Sequence, residues 1–348
     1  MTNVVHTRYG KLALWIGAIV VGFLLPQILG GTEVIYTTAA LIAIFAIMSY
    51  GNDLILSDLG EVSLGQTVFW AAGAYTTALL VIKSGWGPFT SLAAALVISA
   101  MIALVLGLAT IRTREFVFSL VTYASAIIAT AIVTNTASFG GSDGLVGMPL
   151  LSIPVVGGKY EAFSNEALWP IAYVCLILVI AFVARFRRSR LGITSLMTHM
   201  NSDLATTMGV DVRRTRVLVF TLSAPVSALA GWLYAFQRSY VSPDLLSQFF
   251  LLLMLTAVIL PGKRILLGPL LGTAVLVFQQ QHLSTGGGGD VDRIVLGGVL
   301  AFVLLTSSDG LAGWWRAITK RRRMASPQTS NSVDSSGTTA ARLATIKE

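Results

Sequence analysis

Three stretches of this sequence carry polar residues whose types and spacing could do chemistry, and each interrupts an otherwise apolar chain. The first places three acidic residues just before a run of small and polar residues. The second is rich in glycine and holds one aspartate, and the third, residues 185–216, is basic and hydrophilic. The first two stretches contain Asp53, Asp58, Glu61 and Ser63-Leu64-Gly65-Gln66, and then Gly140-Gly141-Ser142-Asp143-Gly144-Leu145. Small and polar residues among apolar helices either allow close packing of the helices or line a wet path, and both interpretations stay open for the residues from Ser63 to Gln66.

Each stretch also has a plainer interpretation. Charges inside a bilayer are costly and usually functional, but Asp53 and Asp58 fall near the end of an apolar segment, so we favour solvated charges at the membrane edge. Glycine permits turns with positive φ, and for Gly140–Leu145 a structural turn is the favoured interpretation, with Asp143 able to cap backbone donors near a pathway mouth. The basic stretch predicts a short amphipathic helix, interrupted around Met197–Met208 and ended by Gly209. This helix either lies on the membrane or docks into a groove of a soluble partner.

Motifs for an enzyme or a metal protein are absent from the sequence. The single cysteine, Cys175, lies in an apolar run and is interpreted as packing, and the three histidines are far apart, so no Cys/His metal cluster is predicted. The glycine run Gly286–Gly289 is not followed by Lys-Ser or Lys-Thr and is therefore no phosphate loop. We predict no cofactor and no metal site, and the energy for any active transport must come from another protein.

The elements that carry these residues must be membrane spans. The chain has 348 residues, of which 55% are hydrophobic and only 11% charged, whereas soluble domains carry about 25% charged residues. A span needs about 20 apolar residues, and this rule predicts an all-α, polytopic transmembrane bundle of about ten spans. The predicted spans are 12–30, 34–51, 62–82, 89–111, 116–137, 168–184, 217–236, 248–261, 265–281 and 292–306. The eighth and ninth are short enough to be half-spans or tilted helices.

The distribution of arginine and lysine predicts the orientation. With both termini in the cytoplasm, most basic residues fall in cytoplasmic segments, as the positive-inside rule requires. The net charge of +8 then faces anionic lipid head groups, and nucleic-acid binding is not predicted. The predicted organisation is a cytoplasmic N-terminus at 1–11, a membrane domain at 12–315 that includes the cytoplasmic loop 185–216, and a basic, disordered tail at 316–348.

In series, the motifs resemble the permease family of branched-chain amino acid ABC transporters, nearest its LivM branch. The resemblance covers roughly residues 35–312. It includes Ser189, Arg190 and Gly192, which resemble the motif that opens the coupling segment in the family. Matching residues, in family order, are Leu54-Ile55-Leu56, Gly60, Ser63-Leu64-Gly65, Phe69, Gly73-Ala74-Tyr75, Gly140–Leu145, Gly147, Pro149, Ala205, Gly209, Val241-Ser242-Pro243-Asp244 and Gly268-Pro269. The loop sequence MTHMNSDLATTMG carries His199 and Ser202 where the family usually has Arg and Glu, and Gln66 replaces a usual His.

The resemblance implies a subunit of a heteromeric importer in the cell (inner) membrane. Its partners would be a second similar permease, two cytoplasmic ATPases and an extracytoplasmic solute-binding protein, and transport would follow alternating access. Branched-chain or other hydrophobic amino acids are the first-choice substrates, with urea, amides and small carboxylates as alternatives. A secondary transporter or channel is the alternative of another class, and a membrane-embedded enzyme is a weaker one.

The candidate functional residues fall into two sets, and none of them is catalytic. Candidates for the translocation path are Ser63, Gly65, Gln66, Ser142 and Asp143. Candidates for coupling to the ATPases, within the stretch Thr198–Gly209, are Thr198, His199, Asn201, Asp203 and Gly209.

Overall fold

The protein is a bundle of helices in the computed structural model. The structure describes residues 19–111, 113, 115–155, 158–161 and 164–284, together with Gly17 and Gly298. The predicted N-terminal segment 1–11, the tenth predicted span 292–306, Gly286–Gly289 and the predicted tail 316–348 lie outside these residues.

Eleven α-helices are described, and most follow one another with short connections, except for the longer segment between α5 and α6. They are α1 Ile19–Ile28, α2 Glu33–Asp53, α3 Gln66–Ser84, α4 Pro88–Ala109, α5 Glu115–Asn135, α6 Asn165–Arg188, α7 Arg190–Met200, α8 Ser202–Thr207, α9 Val212–Arg238, α10 Gln248–Ile259 and α11 Gly268–Ser284. Directly after α2, the chain forms one π-helical turn, Leu54–Leu59, which we call the π-turn. Four short strands complete the described part: β1 Leu145–Val146, β2 Ser152–Val155, β3 Gly158–Glu161 and β4 Tyr240–Val241.

Five of the described helices are long and apolar enough to cross a membrane. They are α2 with its π-turn, α4, α5 (from Phe116), α6 and α9. The second to ninth predicted spans each coincide with a described helix, and the short eighth and ninth are α10 and α11, of 12 and 17 residues. The all-helical prediction is therefore confirmed in its main part, with two small antiparallel ladders added, while ten spans and the orientation stay predictions.

The packing of α4 shows how the apolar sequence is divided between protein and lipid. Its buried residues are small and recur every four positions, at Ser91, Ala95, Ser99, Ala103 and Gly107. Residues at this spacing lie on one helical face, and small side chains let helix backbones approach closely in a membrane. The opposite face exposes large apolar side chains, at Val97, Met101, Val105 and Leu108, which suits contact with acyl chains.

Close approach of α3 and α9 forms the centre of the bundle. A Cβ added at Gly73 would strike the Ala228 backbone, and one added at Gly231 would strike the Trp70 carbonyl. Around this crossing pack the rings of Phe45, Trp70 and Tyr234, with centroids 4.9 Å apart for Trp70 and Tyr234. The lack of side chains at these two glycines therefore allows the backbones of α3 and α9 to approach closely.

The predicted hydrophilic loop 185–216 is largely helical. Its first residues, 185–188, form the last turn of α6, and residues 212–216 form the start of α9. Between them lie α7 and α8. The predicted interruption is found at Asn201, and the predicted helix stop at Gly209 follows the end of α8, with Gly209 at φ +84°.

Candidate functional site

Side-chain caps fold the segment between α6 and α9 into two short helices, which we call the α7–α8 element. The Ser189 hydroxyl accepts a hydrogen bond from the Gly192 amide, and the Asn201 side chain accepts from the amides of Asp203 and Leu204. Asp211 likewise caps α9 by accepting from the Arg214 amide. Such caps satisfy backbone donors that a helix start leaves unpaired, so the element has defined bends and is not a loose loop.

Three large apolar side chains are exposed along the α7–α8 element. Met200, Leu204 and Met208 recur every four residues and expose 78%, 58% and 67% of their surface. Large apolar side chains exposed together in this way mark an interaction site. We call these three residues the Met–Leu face.

The coupling candidates of the sequence occupy different positions on this element. Thr198 is buried on the inner face, Asn201 is occupied as a cap, and Asp203 and Gly209 are exposed. His199 lies over Gly60, where an added Cβ would fall on its imidazole ring. Sequence reasoning missed the Met–Leu face, because Met200 ends α7, Leu204 lies in α8, and the extended Asn201 between them breaks any helical periodicity.

His199 links the α7–α8 element to the π-turn. Gly60 ends that turn at φ +78°, in the left-handed region that glycine adopts most easily. Partial burial and the nearby Lys263 lower the pKa of His199, whereas a hydrogen bond with the Ser57 backbone acts in the opposite direction. A neutral imidazole at neutral pH follows, packed against the end of the π-turn.

The π-turn is the most irregular part of a span and carries two buried acids at its edges. All six residues of Leu54–Leu59 are buried. A π-turn is rare and frequently marks a functional site. It follows Asp53, which is 1% exposed, and holds Asp58, which is fully buried.

Asp53 and Asp58 are therefore not solvated charges at the membrane edge, and that interpretation was wrong. Arg187, in the last turn of α6, donates from Nη2 to Asp53 Oδ2 at 2.6 Å and from Nε to Asp58 Oδ2 at 3.0 Å. Ser57 Oγ also donates to Asp53 Oδ1 at 2.6 Å. Burial of a carboxylate is tolerated when it is paired and hydrogen-bonded, and the guanidinium fork satisfies two carboxylates at once. Arg264 Nη1 also lies 3.6 Å from Asp58 Oδ1, and we call Asp53, Asp58, Arg187 and Arg264 the arginine cluster.

A second ion pair lies next to the π-turn. Arg216, near the start of α9, approaches Glu61 with Nε and Oε1 2.5 Å apart, and its guanidinium lies 5.8 Å from the centre of the Phe118 ring. Both side chains of the pair are largely buried. The ends of α2, α6 and α9 are thus held together by charge at one end of the bundle.

The buried path candidates Ser63, Gly65 and Gln66 lie between the π-turn and α3. Gln66 is fully buried, and its Nε2 donates to Ser227 Oγ of α9 at 2.9 Å. A Cβ at Gly65 would meet the Thr122 carbonyl of α5 at 2.6 Å. Within the described part of the chain, Ser63 Oγ and Gln66 Oε1 have no hydrogen-bond partner, so these residues place unused polar atoms inside the bundle.

The other two path candidates lie at the far end of α5. Ser142 and Asp143 are exposed in a pair of 3₁₀ turns, and the Asp143 carbonyl accepts from the Tyr240 hydroxyl at 2.9 Å. The next residues pair in β1 with β4, Leu145 opposite Val241, and Gly144 allows close contact with the Val241 carbonyl. The structure does not bring Ser142 and Asp143 together with Ser63, Gly65 and Gln66. The glycine motif builds a turn that ties α5 to the segment after α9.

An apolar cavity of about 400 Å³ lies between α3, α4 and α5, near this turn. Its lining includes Val68, Ala72, Thr76, Ile102, Phe139 and Leu246. The hydroxyl of Tyr75, also in the lining, is buried and has no partner among the described residues. The cavity therefore offers mainly apolar walls. In the same part of the chain, no group of three His, Cys, Asp or Glu residues could hold a metal ion.

Comparison with known proteins decides the family. The family model for the branched-chain amino acid transport system permease component matches residues 34–304. This chain belongs to that family. The permease is a transport subunit and not an enzyme, and its apolar helices make it a multi-pass membrane protein.

Individual relatives agree with this assignment. The permease is 25% identical over 293 residues to the high-affinity branched-chain amino acid transport system permease protein LivM of Escherichia coli (strain K12), which covers 78% of this chain and 68% of the relative. LivM of Salmonella typhimurium matches with the same identity and coverage. The probable branched-chain amino acid transport permease protein LivH of Methanocaldococcus jannaschii is 22% identical over 276 residues, covering 74% of this chain and 86% of the relative. No solved structure matches the permease significantly.

Proposed function

We propose that this permease forms, with a second related permease, the membrane path of an ATP-driven importer in the cell (inner) membrane. The observation that carries the proposal is the Met–Leu face of the α7–α8 element. Three large apolar side chains stand exposed on a capped, basic-flanked pair of helices. Such a face suits insertion into a groove of a soluble protein, and an ATPase subunit is the partner that an importer without its own nucleotide motif requires.

Contacts behind the Met–Leu face support a coupling role over a membrane anchor. The inner side of the element is buried at Ser195, Thr198 and Ala205, and His199 packs on the end of the π-turn. A displacement of the α7–α8 element would therefore be transmitted directly to the span formed by α2 and its π-turn. A helix that only lies on a membrane surface needs no such attachment to the bundle.

Cysteine crosslinking tests the docking proposal. In a variant with Cys175→Ala, cysteines at Met200, Leu204 and Met208 should each crosslink to an engineered cysteine in the groove of the ATPase. Arg214→Cys, at a largely exposed position at the start of α9 and outside the α7–α8 element, is the matched control and should crosslink poorly. Failure at all three face positions, with the ATPase present and the control chemistry working, would discard the docking proposal.

The positions of three arginines at the same end of the bundle support an orientation of the permease in the membrane. Arg187, Arg216 and Arg264 come together there through their ion pairs, and clustered arginine favours the cytoplasmic side. We therefore place α7–α8 in the cytoplasm, and the turn at Ser142 and Asp143 outside, where a solute-binding protein would deliver its cargo. Both termini are proposed to be cytoplasmic, with about ten spans.

Thiol labelling in intact cells tests this orientation. With Cys175→Ala as background, Ser142→Cys should react with a membrane-impermeant maleimide and Asp203→Cys should not, although both positions are exposed. The reverse pattern would overturn the proposed orientation.

Branched-chain or other hydrophobic amino acids are the proposed substrates. The relatives are named for branched-chain amino acid transport, and the cavity between α3, α4 and α5 has walls that suit an aliphatic side chain. Urea has no aliphatic group to bury, and short amides and small carboxylates have smaller ones than leucine, so an apolar wall stabilises these alternatives less. Ala72→Phe should fill the cavity and lower leucine uptake with assembly retained. Val97→Phe, on the outer face of α4, should leave uptake unchanged, and equal uptake by both variants would exclude the cavity.

A further inference from the structure

Three separate parts of the permease meet at the side chain of Arg187. This residue lies in the last turn of α6, two positions before Ser189, the N-cap of α7. Its guanidinium reaches Asp53 at the end of α2, Asp58 in the π-turn and the backbone of Arg264 in the α10–α11 connection. Arg187 is therefore attached at its base to the α7–α8 element and at its tip to the end of α2, the π-turn and the α10–α11 connection.

The contacts of the cluster differ in strength. The bond from Arg187 Nη2 to Asp53 is short, at 2.6 Å, and the pair is largely buried, which makes it a strong charge-assisted bond. Arg264 is a third exposed, and its Nη1 lies 3.6 Å from Asp58 Oδ1, beyond hydrogen-bond length. The α10–α11 connection thus holds the cluster more weakly than α2 does.

The backbone of the α10–α11 connection is also unusual. Arg264 has φ +64°, a conformation that residues other than glycine rarely adopt. Its carbonyl accepts from Arg187 Nη1 at 3.2 Å, and the Leu266 carbonyl accepts from the Tyr50 hydroxyl at 2.7 Å. The connection is therefore fastened to α2 through Tyr50 and to α6 through Arg187.

We propose that Arg187 is the positioning residue that passes movement of the α7–α8 element to the π-turn and the α10–α11 connection. The proposal rests on the proposed coupling of this element to an ATPase. A shift of α7 displaces the guanidinium, which carries Asp53 and Asp58 with it because each is held by its own nitrogen of the same fork. The weak Arg264 contact is the one that opens. Movement at the ATPase thereby reaches a span at its irregular turn.

Hydrogen exchange of the purified complex with its ATPases tests this inference without knowledge of the substrate. Exchange is followed in 200–207 of the α7–α8 element and in 54–60 of the π-turn, with and without a non-hydrolysable ATP analogue. In the wild-type complex, nucleotide should change exchange in both segments, by roughly fivefold or more, the lower end of typical coupling between sites.

Arg187→Lys is the informative variant. Lysine keeps the charge but lacks the planar fork, so it cannot hold both carboxylates in the same way. The nucleotide effect should persist in 200–207 and be lost in 54–60. Arg188→Lys, the exposed neighbour, is the matched control and should keep both effects. Should Arg187→Lys fail to fold, the neutral combination Arg187→Gln, Asp53→Asn and Asp58→Asn removes the buried charges and must lose the same effect.

The outcomes separate the two proposals. A nucleotide effect on 54–60 that survives in Arg187→Lys, or in the neutral combination, overturns the role of Arg187. A wild-type response in 200–207 without one in 54–60 also overturns it, while ATPase docking stands. Absence of any wild-type response in 200–207 contradicts the proposed function itself.

Discussion

The contact between Gly60 and His199 allows a sharp test of how the α7–α8 element is attached to the membrane bundle. Gly60→Ala places a methyl group on the His199 ring and forces a non-glycine residue to φ +78°. Gly85, the C-cap of α3, has φ +63° and nothing within 4 Å of an added Cβ. Gly85→Ala therefore carries the conformational cost alone, and the difference between the two variants isolates the contact.

The magnitudes follow from these geometries. A left-handed conformation costs a non-glycine residue about 1–2 kcal/mol, so Gly85→Ala should lower the free energy of unfolding by about that amount. Forcing an extra methyl group into a packed site adds ~1–3 kcal/mol, so Gly60→Ala should cost roughly 2–5 kcal/mol. The exposed edge of His199 favours the lower half of this range, since the ring can move outward.

A double-mutant cycle is the assay. Unfolding of the detergent-purified permease is measured for Gly60→Ala, His199→Ala and the double variant, with Gly85→Ala and Gly85→Ala/His199→Ala in parallel. In Gly60→Ala/His199→Ala, the smaller residue 199 should remove the steric clash and restore the stability lost to it, giving an interaction energy of about 1–3 kcal/mol. The effects of Gly85→Ala and His199→Ala should be additive. Additivity in both pairs would refute the contact and with it the direct attachment of α7 to the π-turn through His199.

Three further predictions concern the bundle, the second ion pair and pH. Gly231→Ala should lower the free energy of unfolding by ~1–3 kcal/mol, because the added Cβ would strike the Trp70 carbonyl. Gly107→Ala, at a helical glycine with only ordinary contacts at 3.4 Å, should leave stability unchanged or raise it. Equal unfolding temperatures for the two variants would contradict the described α3–α9 crossing. Arg216→Gln removes a largely buried, charge-assisted contact to Glu61, so it should lower the free energy of unfolding by about 1.5–3 kcal/mol. Arg214→Gln, in an exposed pair, should change the unfolding midpoint little, and similar losses for the two variants would argue against burial of the Arg216–Glu61 pair. The pKa of His199 is lowered in the folded protein, so the unfolded chain binds more protons than the folded one as pH falls below about 6.5. The free energy of unfolding should therefore decrease from pH ~7 to ~5. His199→Gln should flatten this part of the stability profile, and an unchanged slope would assign the pH dependence to another group.

Hydropathy predicted where the helices lie, but it could not predict how charge joins them. Segments such as 89–111 and 168–184 match α4 and α6 because burial in lipid imposes a simple length and polarity rule. The pairing of Asp53 with Arg187 spans 134 residues, and no local pattern links the two positions. Asp53 and Asp58 therefore looked like edge charges until the last turn of α6 was placed beside them.

The candidate site was predicted at the level of segments more than of residues. Gly209 and the interruption near Asn201 were readable because capping and positive φ are local properties of the chain. The roles of individual residues depend on which side of α7 and α8 meets the bundle. In the structure, Thr198 faces inward and Met200 and Leu204 face outward. Because the sequence does not show this orientation, the prediction favoured polar residues for coupling and passed over the exposed apolar ones.

Affinity purification of the tagged permease in mild detergent, with identification of the proteins that accompany it, tests the central claim most directly. The account predicts a second permease and ATPase subunits with the wild-type chain, and loss of the ATPases alone from the variant Met200→Asp/Leu204→Asp, which changes only exposed side chains. Recovery of a folded wild-type permease alone would contradict the importer assignment and favour a channel or secondary transporter.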